Sequence, residues 1–442
     1  MTGSHRAPRG GGRAAAREAR RAQARRRNQL IGAGAAVVLL VGGGGIAAVN
    51  AFGGGGSADN AKSGNTDDKS GDDANLLADE KVLLDGTSAK PLATTGAWTV
   101  ASTNNGSNAP DQSFVCQAQR FADPAGIRTW IRTFKNATTK GTAVQYVEVS
   151  NDEAAAGKAY TTITGWLSSC ATPQVRLVAS YVTEGLGARG VVAVFGQPGA
   201  KTNKYRTVSV STVGQTTMVV EHDSTGATPP KPDGLLATAG VGLQRICAEA
   251  ECATGTPAAK PGLLPTAEPA GFMAPIDLPV LPAIDKPWVS TASTPPKGTG
   301  CEKIDLKKAK ARTSKAQTYV VPEAKVPTEF GLDTMVAAFA NSAAANTFVS
   351  GIRKNVDNCK KTTSNATVKP TGTVSLGTIK GESWRASYDT GGGKIFTYRI
   401  GIAVAGSRSV YVLYPVLEDL DISDAAFNEV LTRAAERSVA YK

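Results

Sequence analysis

The sequence predicts an α+β protein in which two tandem domains, each an antiparallel β-meander packed with helices, follow an N-terminal transmembrane helix. Three observations predict it. An uncharged run lies directly behind an arginine cluster, all six cysteines lie beyond that run, and one order of cysteine, helix and strands occurs twice.

The arginine cluster accounts for most of the formal net charge of +12. Residues 1–27 carry arginines at 6, 9, 13, 17, 20, 21, 25, 26 and 27 against the single acid Glu18, so the remaining chain is only slightly basic. A basic arm beside an apolar run is a topology signal rather than a nucleic-acid arm, and no nucleic-acid partner is expected. Residues 1–28 are expected to form a cytoplasmic arm and residues 29–52 a transmembrane helix. The 23 residues from Leu30 to Phe52, LIGAGAAVVLLVGGGGIAAVNAF, suffice to cross a hydrocarbon core of about 30 Å at about 1.5 Å per residue. The glycines 42–45 are tolerated in lipid, where the backbone satisfies itself. The rival reading is a cleaved signal ending near Val49-Asn50-Ala51, with Arg26-Arg27 before it. Positive charge on the N-terminal side keeps the arm inside. The expected location is therefore the cell membrane, single-pass, with the N-terminus cytoplasmic and the C-terminal domains extracytoplasmic.

Residues 53–74 are rich in Gly, Ser, Asn and Asp with no aromatic, the composition of a flexible tether. The body follows. Its cysteines are Cys116, Cys170, Cys247, Cys252, Cys301 and Cys359, an even number confined to the outward part, as disulfides in an oxidising compartment require. Metal binding is disfavoured, because the Cys247/Cys252 spacing is not that of a zinc knuckle and no second knuckle completes a ligand set.

The body repeats itself. Leu76-Leu77 answers Leu263-Leu264, and Trp98 with its Thr/Ser run answers Trp288 with its own. Cys116 answers Cys301, and an Ala-rich helix ending at Cys170 answers one ending at Cys359, 189 residues later. A repeat of this length is a whole domain. The expected domains are 75–252 and 263–442, joined by a linker at 253–262. Equivalent cysteines should pair equivalently, which selects Cys116–Cys170 and Cys301–Cys359, with Cys247–Cys252 as an extra bridge in the first copy.

Each Ala-rich helix carries a cap, Ser150, Asn151 or Asp152 in the first and Asn341 in the second. Apolar residues recur at helical spacing, Tyr160, Ile163 and Leu167 in one and Phe348, Ile352 and Val356 in the other, so each face should lie on a sheet. Four β-type runs follow each helix: 175–182, 190–195, 205–213 and 216–221, then 366–376, 382–388, 395–404 and 409–414. Short turns between them make the strands antiparallel neighbours. A closing helix is expected at about 233–247 and again at about 423–440.

Little in the chain points to catalysis. His222 is the sole histidine beyond the arm, and it reads as a strand-end surface residue, with a pH-sensitive or catalytic base as the alternative. No metalloprotease, nucleophile-elbow or phosphate-loop motif occurs in a supporting context. Glu382, Asp389, Glu418, Asp419 and Asp421 are carboxylates of a solvated rim, and become a hydrolytic pair only if two of them meet across a cleft. No catalytic, cofactor-binding or metal-binding residue is assigned, and no cofactor is expected. Trp384, Tyr388, Phe396, Tyr398, Tyr411 and Tyr414 alternate with small or polar residues. Of these, Trp384, Tyr388, Tyr398 and Tyr411 form the candidate ligand groove, with core beneath the helices as the competing reading.

Trp166-Leu-Ser-Ser-Cys170 and Val356-Asp-Asn-Cys359, each preceded by a Cys and an Ala-rich helix and followed by four strands and a last helix, resemble the extracellular sensor domain of PknH-type mycobacterial receptor Ser/Thr kinases. The resemblance covers about 75–252 and 263–442. It implies a ligand cleft on the sheet, no catalysis, and an actinobacterial envelope protein. The arm before the apolar run is too short for a kinase, so no kinase domain is expected there. The expected function is thus a membrane-anchored, non-catalytic ligand-binding or sensor-like module that recognises an envelope ligand or protein. The alternatives are a structural adaptor docking on another envelope protein and a carboxylate-dependent cell-wall hydrolase.

Overall fold

A computed structural model describes residues 80–442 apart from 109, 200, 251–254, 282–283 and 328–329. The arginine arm, the apolar run Leu30–Phe52, the tether and Cys252 lie outside the described residues. Among the described residues, no helix is long and apolar enough to cross a membrane. Lys69–Ala324 and Gly331–Lys442 belong to one compact unit, which carries two antiparallel sheets.

The first half runs β1 (Trp98–Asn104), β2 (Arg128–Asn136), β3 (Thr142–Val149), α1 (Glu153–Ser168), β4 (Arg176–Glu184), β5 (Arg189–Gln197), β6 (Asn203–Val213), β7 (Thr216–Gly226), α2 (Asp233–Ala250) and β8 (Ala258–Pro261). The second runs β9 (Val289–Ser293), β10 (Thr313–Val320), β11 (Leu332–Ala338), α3 (Ser342–Asp357), β12 (Ala366–Leu376), β13 (Ile379–Asp389), β14 (Ile395–Ala405), β15 (Arg408–Val416) and α4 (Asp424–Ser438). The strand orders are β1-β2-β3-β7-β6-β5-β4-β8 and β12-β13-β14-β15-β11-β10-β9. Apart from β8, the two orders are the same connectivity traced twice.

The strands and helices expected after each Ala-rich helix are present, but each sheet is not a four-stranded meander. Three further strands precede each helix, and the last strand of the second meander, β7 or β15, pairs with the third, β3 or β11. These strands hide in the sequence because they bury polar side chains. Gln145 and Glu148 of β3 are fully buried. Gln145 Oε1 accepts from Leu84 N at 2.8 Å, and Glu148 Oε1 accepts from Ala122 N and Asp123 N at 3.1 and 3.0 Å. Loop N–H groups distant in sequence satisfy what local pattern marks as surface.

One helix covers each face of the first sheet. Val191, Ala193 and Phe195 point from β5 into a core with Tyr160, Ile163 and Leu167 of α1, while Val192 packs on the other face with Leu235, Ala239 and Leu243 of α2. The period of two along a strand separates these sets. Each fully buried aliphatic side chain contributes about 1.5–3 kcal/mol. The second sheet buries Phe348, Ile352 and Val356 of α3 on one face. On its other face Gly401 leaves room for Leu431 and Phe427 of α4, which a Cβ there would meet at 3.1 and 3.2 Å. The helices start where their caps stand: Asp152 accepts from Ala155 N at 2.7 Å, Asn341 from Ala344 N at 2.9 Å and Ser423 from Ala426 N at 3.1 Å.

Two disulfides close the corresponding loops. Cys116–Cys170 and Cys301–Cys359 span Cα distances of 4.8 and 5.1 Å. Each ties the connector after the first strand of its sheet to the end of α1 or α3. Cys247, on α2, is also disulfide-bonded and faces the core that this helix covers.

The stretch between the sheets packs on the first one. β8 adds to the edge of β4, and Leu264, Ala274 and Ile276 enter the core under α1, although sequence alone assigns them to the second domain. The same stretch is gripped from the second sheet, where the Tyr319 hydroxyl donates to Met273 O at 2.9 Å and Arg437 Nη1 donates to Leu264 O at 2.7 Å.

Candidate functional site

The second sheet brings the four aromatics singled out from the sequence to one face. Trp384 and Tyr388 of β13 alternate with the same period as Tyr398 of β14, and Tyr411 of β15 stands opposite Ile402, so all four point toward α3. There they are largely packed. Trp384 and Tyr411 are closed off from solvent, and Tyr388 and Tyr398 are half-buried. Trp384 Nε1 donates to Asp357 Oδ1 of α3 at 3.0 Å, and the Tyr411 hydroxyl donates to Glu302 Oε1 at 2.5 Å. The Tyr388 hydroxyl contacts Cys301 Sγ at 2.9 Å and the Thr299 hydroxyl, with the Tyr398 ring edge-on at 6.3 Å. Burial pushes the Tyr388 hydroxyl up to about 12. These contacts fasten α3 and the Cys301 connector to the sheet.

Of the rim carboxylates, Glu382 pairs with Arg353 at 2.7 Å, and Asp421 takes Arg385 and Arg399 at 3.0 and 2.8 Å. Among the described residues, no group of three or more His, Cys, Asp or Glu is placed to hold a metal ion.

A cleft lies instead on the first sheet, on the face covered by α2. It has a volume of about 400 Å³ and is lined by five separated segments: Pro91–Ala93, Thr139 and Gly141 before β3, the start of β6, the second half of β7, and Thr228–Leu235 leading into α2. β6 and β7 supply its floor, because Tyr205 pairs with Ser224 and Thr207 with His222 on the α2 side. α2 can close the end of the cleft because residue 234 is glycine. A Cβ there would collide with the Pro91 carbonyl oxygen.

His222 is the chemically distinct residue of this floor. It is not the strand-end surface residue that its neighbours Asp223, Ser224 and Thr225 suggest. β7 continues to Gly226, because those polar residues pair with Lys204–Arg206 across the hairpin. The imidazole meets the Trp98 ring edge-on at 5.7 Å, and burial pulls its pKa down to about 4. It is therefore neutral at neutral pH, with one nitrogen a donor and the other an acceptor.

The opposite face of the same hairpin holds two acids, Glu221 and Asp223. Glu221 is buried and accepts from Val115 N at 2.7 Å; burial, reinforced by Asp223, raises its carboxyl to about 8. Asp223 is also raised by burial and pairs with Arg206 at 3.6 Å. Glu221, Glu148 and the Cys116–Cys170 bridge together pin the connector between β1 and β2 onto the sheet. Sequence reasoning weighed His222 without locating this cleft, whose walls come from segments that share no motif.

No protein-family model and no curated protein matches the chain. Among solved structures, an acyl-CoA thioesterase II from Mycobacterium marinum aligns with 62% of this chain and 91% of that one, at 11% identity and a TM-score of 0.11. A likeness that slight carries nothing about fold or activity.

Proposed function

We propose that this chain is a binding module held outside the cytoplasm by an N-terminal membrane anchor, and that the cleft on the first sheet is its ligand site. The cleft is the observation that carries the reading. At about 400 Å³ it is within the size range of small-molecule sites, and it combines a polar lining that includes His222, Thr207, Tyr205 and Lys231 with an apolar stretch from Leu92, Pro230 and Leu235. The polar contacts of the hairpin acids, with backbone N–H groups and arginines, support structural rather than hydrolytic roles for them. The arginine arm before Leu30–Phe52 and the disulfides of both halves support the address.

Two measurements test this. Thermal denaturation of the purified full chain is followed against a panel of envelope lipids and glycans. At least one compound should raise the midpoint, and Thr228→Trp, which places a bulky ring at an exposed position of the lining, should abolish that rise. Reporter fusions at the C-terminus should be active outside the membrane and silent in the cytosol. A cytosolic C-terminus, or a panel in which nothing stabilises the chain, rejects the proposal.

A further inference from the structure

The cleft has a polarity that narrows what it holds. At one end Lys231 stands exposed beside the first turn of α2, an 18-residue helix whose N-terminus carries the positive end of the helix dipole and free N–H groups. Asp223 is the acid in the lining, and it is turned to Arg206 on the far face of the hairpin. Asp233, also on the first turn, is exposed and not part of the lining. The floor adds a second and independent feature. Thr207 is only 2% exposed, lines the cleft opposite His222, and its Oγ1 has no hydrogen-bond partner among the described residues. A buried hydroxyl left without a partner is destabilising, and an acceptor brought within its reach relieves that. Leu92, Ala93, Pro230 and Leu235 form an apolar stretch of the wall beside the hydroxyls of Thr139, Thr225 and Thr228.

From this arrangement we infer that the cleft binds the oxyanion end, phosphate or carboxylate, of a small amphiphile. Lys231 and the α2 N-terminus take the charge, Thr207 and His222 donate to the polar end, and the apolar stretch covers the first carbons of the tail. The inference rests on the cleft being the ligand site and adds the chemical class of ligand. A lipid headgroup and a soluble monoester both present this chemistry.

The chain carries two histidines, His5 and His222, so side-chain NMR of the ¹⁵N-histidine-labelled full chain reads the cleft directly, with His5 as internal reference. Hexyl phosphate and hexanoate should move the His222 signals saturably and leave those of His5 in place. Hexanol should bind more weakly by about tenfold or more. Lys231→Glu, at an exposed position, should weaken hexyl phosphate by about tenfold with an unchanged circular dichroism spectrum, and Thr207→Val should weaken it as well. Competition by anionic phospholipid vesicles marks a lipid source, and competition by soluble monoesters alone marks a free metabolite; either outcome supports the assignment. Equal binding of hexanol and hexyl phosphate, or a Lys231→Glu variant of unchanged affinity, overturns the anion assignment while leaving the cleft as a ligand site. Failure of every probe to move His222 removes both.

Discussion

Arg437 Nε donates to Asp277 Oδ2 at 2.8 Å, and the two side chains are 7% and 0% exposed. The pair joins α4, on the second sheet, to the turn whose Ile276 is buried in the core of the first. A buried ion pair adds little net stability over an apolar replacement, but removing one partner strands the other charge. Asp277 Oδ2 also accepts from Ala274 N at 2.8 Å, so the carboxylate cannot leave without opening the turn. Arg437→Met should therefore cost about 3–5 kcal/mol in urea denaturation. It should also split a single transition into two as the halves lose their shared clamp. A loss below about 1 kcal/mol, the range of an exposed pair, would show that the halves are held by other contacts.

The two disulfides make a second prediction. Cys116–Cys170 and Cys301–Cys359 close loops of 54 and 58 residues. In the chain-entropy model each removes about 4 kcal/mol of denatured-state freedom. The Cys301→Ala/Cys359→Ala double variant should lose about that much, and the first pair the same, because the loops are of like length. Denaturation midpoints under oxidising and reducing conditions check it. Parent and variants should converge once reductant is present.

Glu221 sets a pH dependence whose sign is fixed by its burial. Its folded-state pKa is about 8, above the ordinary glutamate value of 4.5, so the folded chain keeps a proton that the unfolded chain releases. Stability must fall as pH rises between those values and level off above them. Glu148 and Asp223, both raised by burial, act in the same direction. His222 opposes them at the acid end: its value of about 4 lies below the unfolded 6.5, so stability falls as pH drops through that window. Glu221→Gln keeps an acceptor for Val115 N and removes the charge. It should flatten the slope between about pH 5 and 8 and raise stability from pH 8 upward by an amount on the order of a few kcal/mol. A variant with an unchanged slope would mean that Glu221 is ionised in its pocket.

Much of this architecture was legible because it repeats. The Ala-rich helices, their capping Asp152 and Asn341, the strands after them and the two disulfides all follow from local signals that occur twice. The strands before each helix were not legible, because Gln145 and Glu148 look like surface until the loops that bond them are in place. The alternation of Trp384, Tyr388, Tyr398 and Tyr411 assigns each ring to one face of the sheet or the other. It could not say what covers the face they share, which depends on α3 and its disulfide. The cleft was least legible: Gly234, Pro91 and His222 meet only through tertiary packing.

Correspondence between the halves gives the last prediction. Tyr146 on β3 faces Val219 on β7, and at the equivalent place Met335 on β11 faces Tyr411 on β15, so the large ring has changed strands while the layer stays filled. In the second half this ring gained a partner. Glu302 follows Cys301 as Gln117 follows Cys116, and both side chains accept from the backbone three residues back, Thr299 N at 2.8 Å and Phe114 N at 3.3 Å. The Glu302 carboxylate also takes the Thr299 hydroxyl at 2.9 Å and the Tyr411 hydroxyl at 2.5 Å. Tyr411→Phe deprives a buried carboxylate of one donor and should cost about 1–3 kcal/mol. Glu302→Gln copies what the first half already uses and should be close to neutral. The two substitutions should not add: with the charge gone, the lost hydroxyl matters less, and a double-mutant cycle in urea should return a coupling of about 0.5–3 kcal/mol. Strict additivity would show that the hydroxyl and the carboxylate are neighbours without being partners.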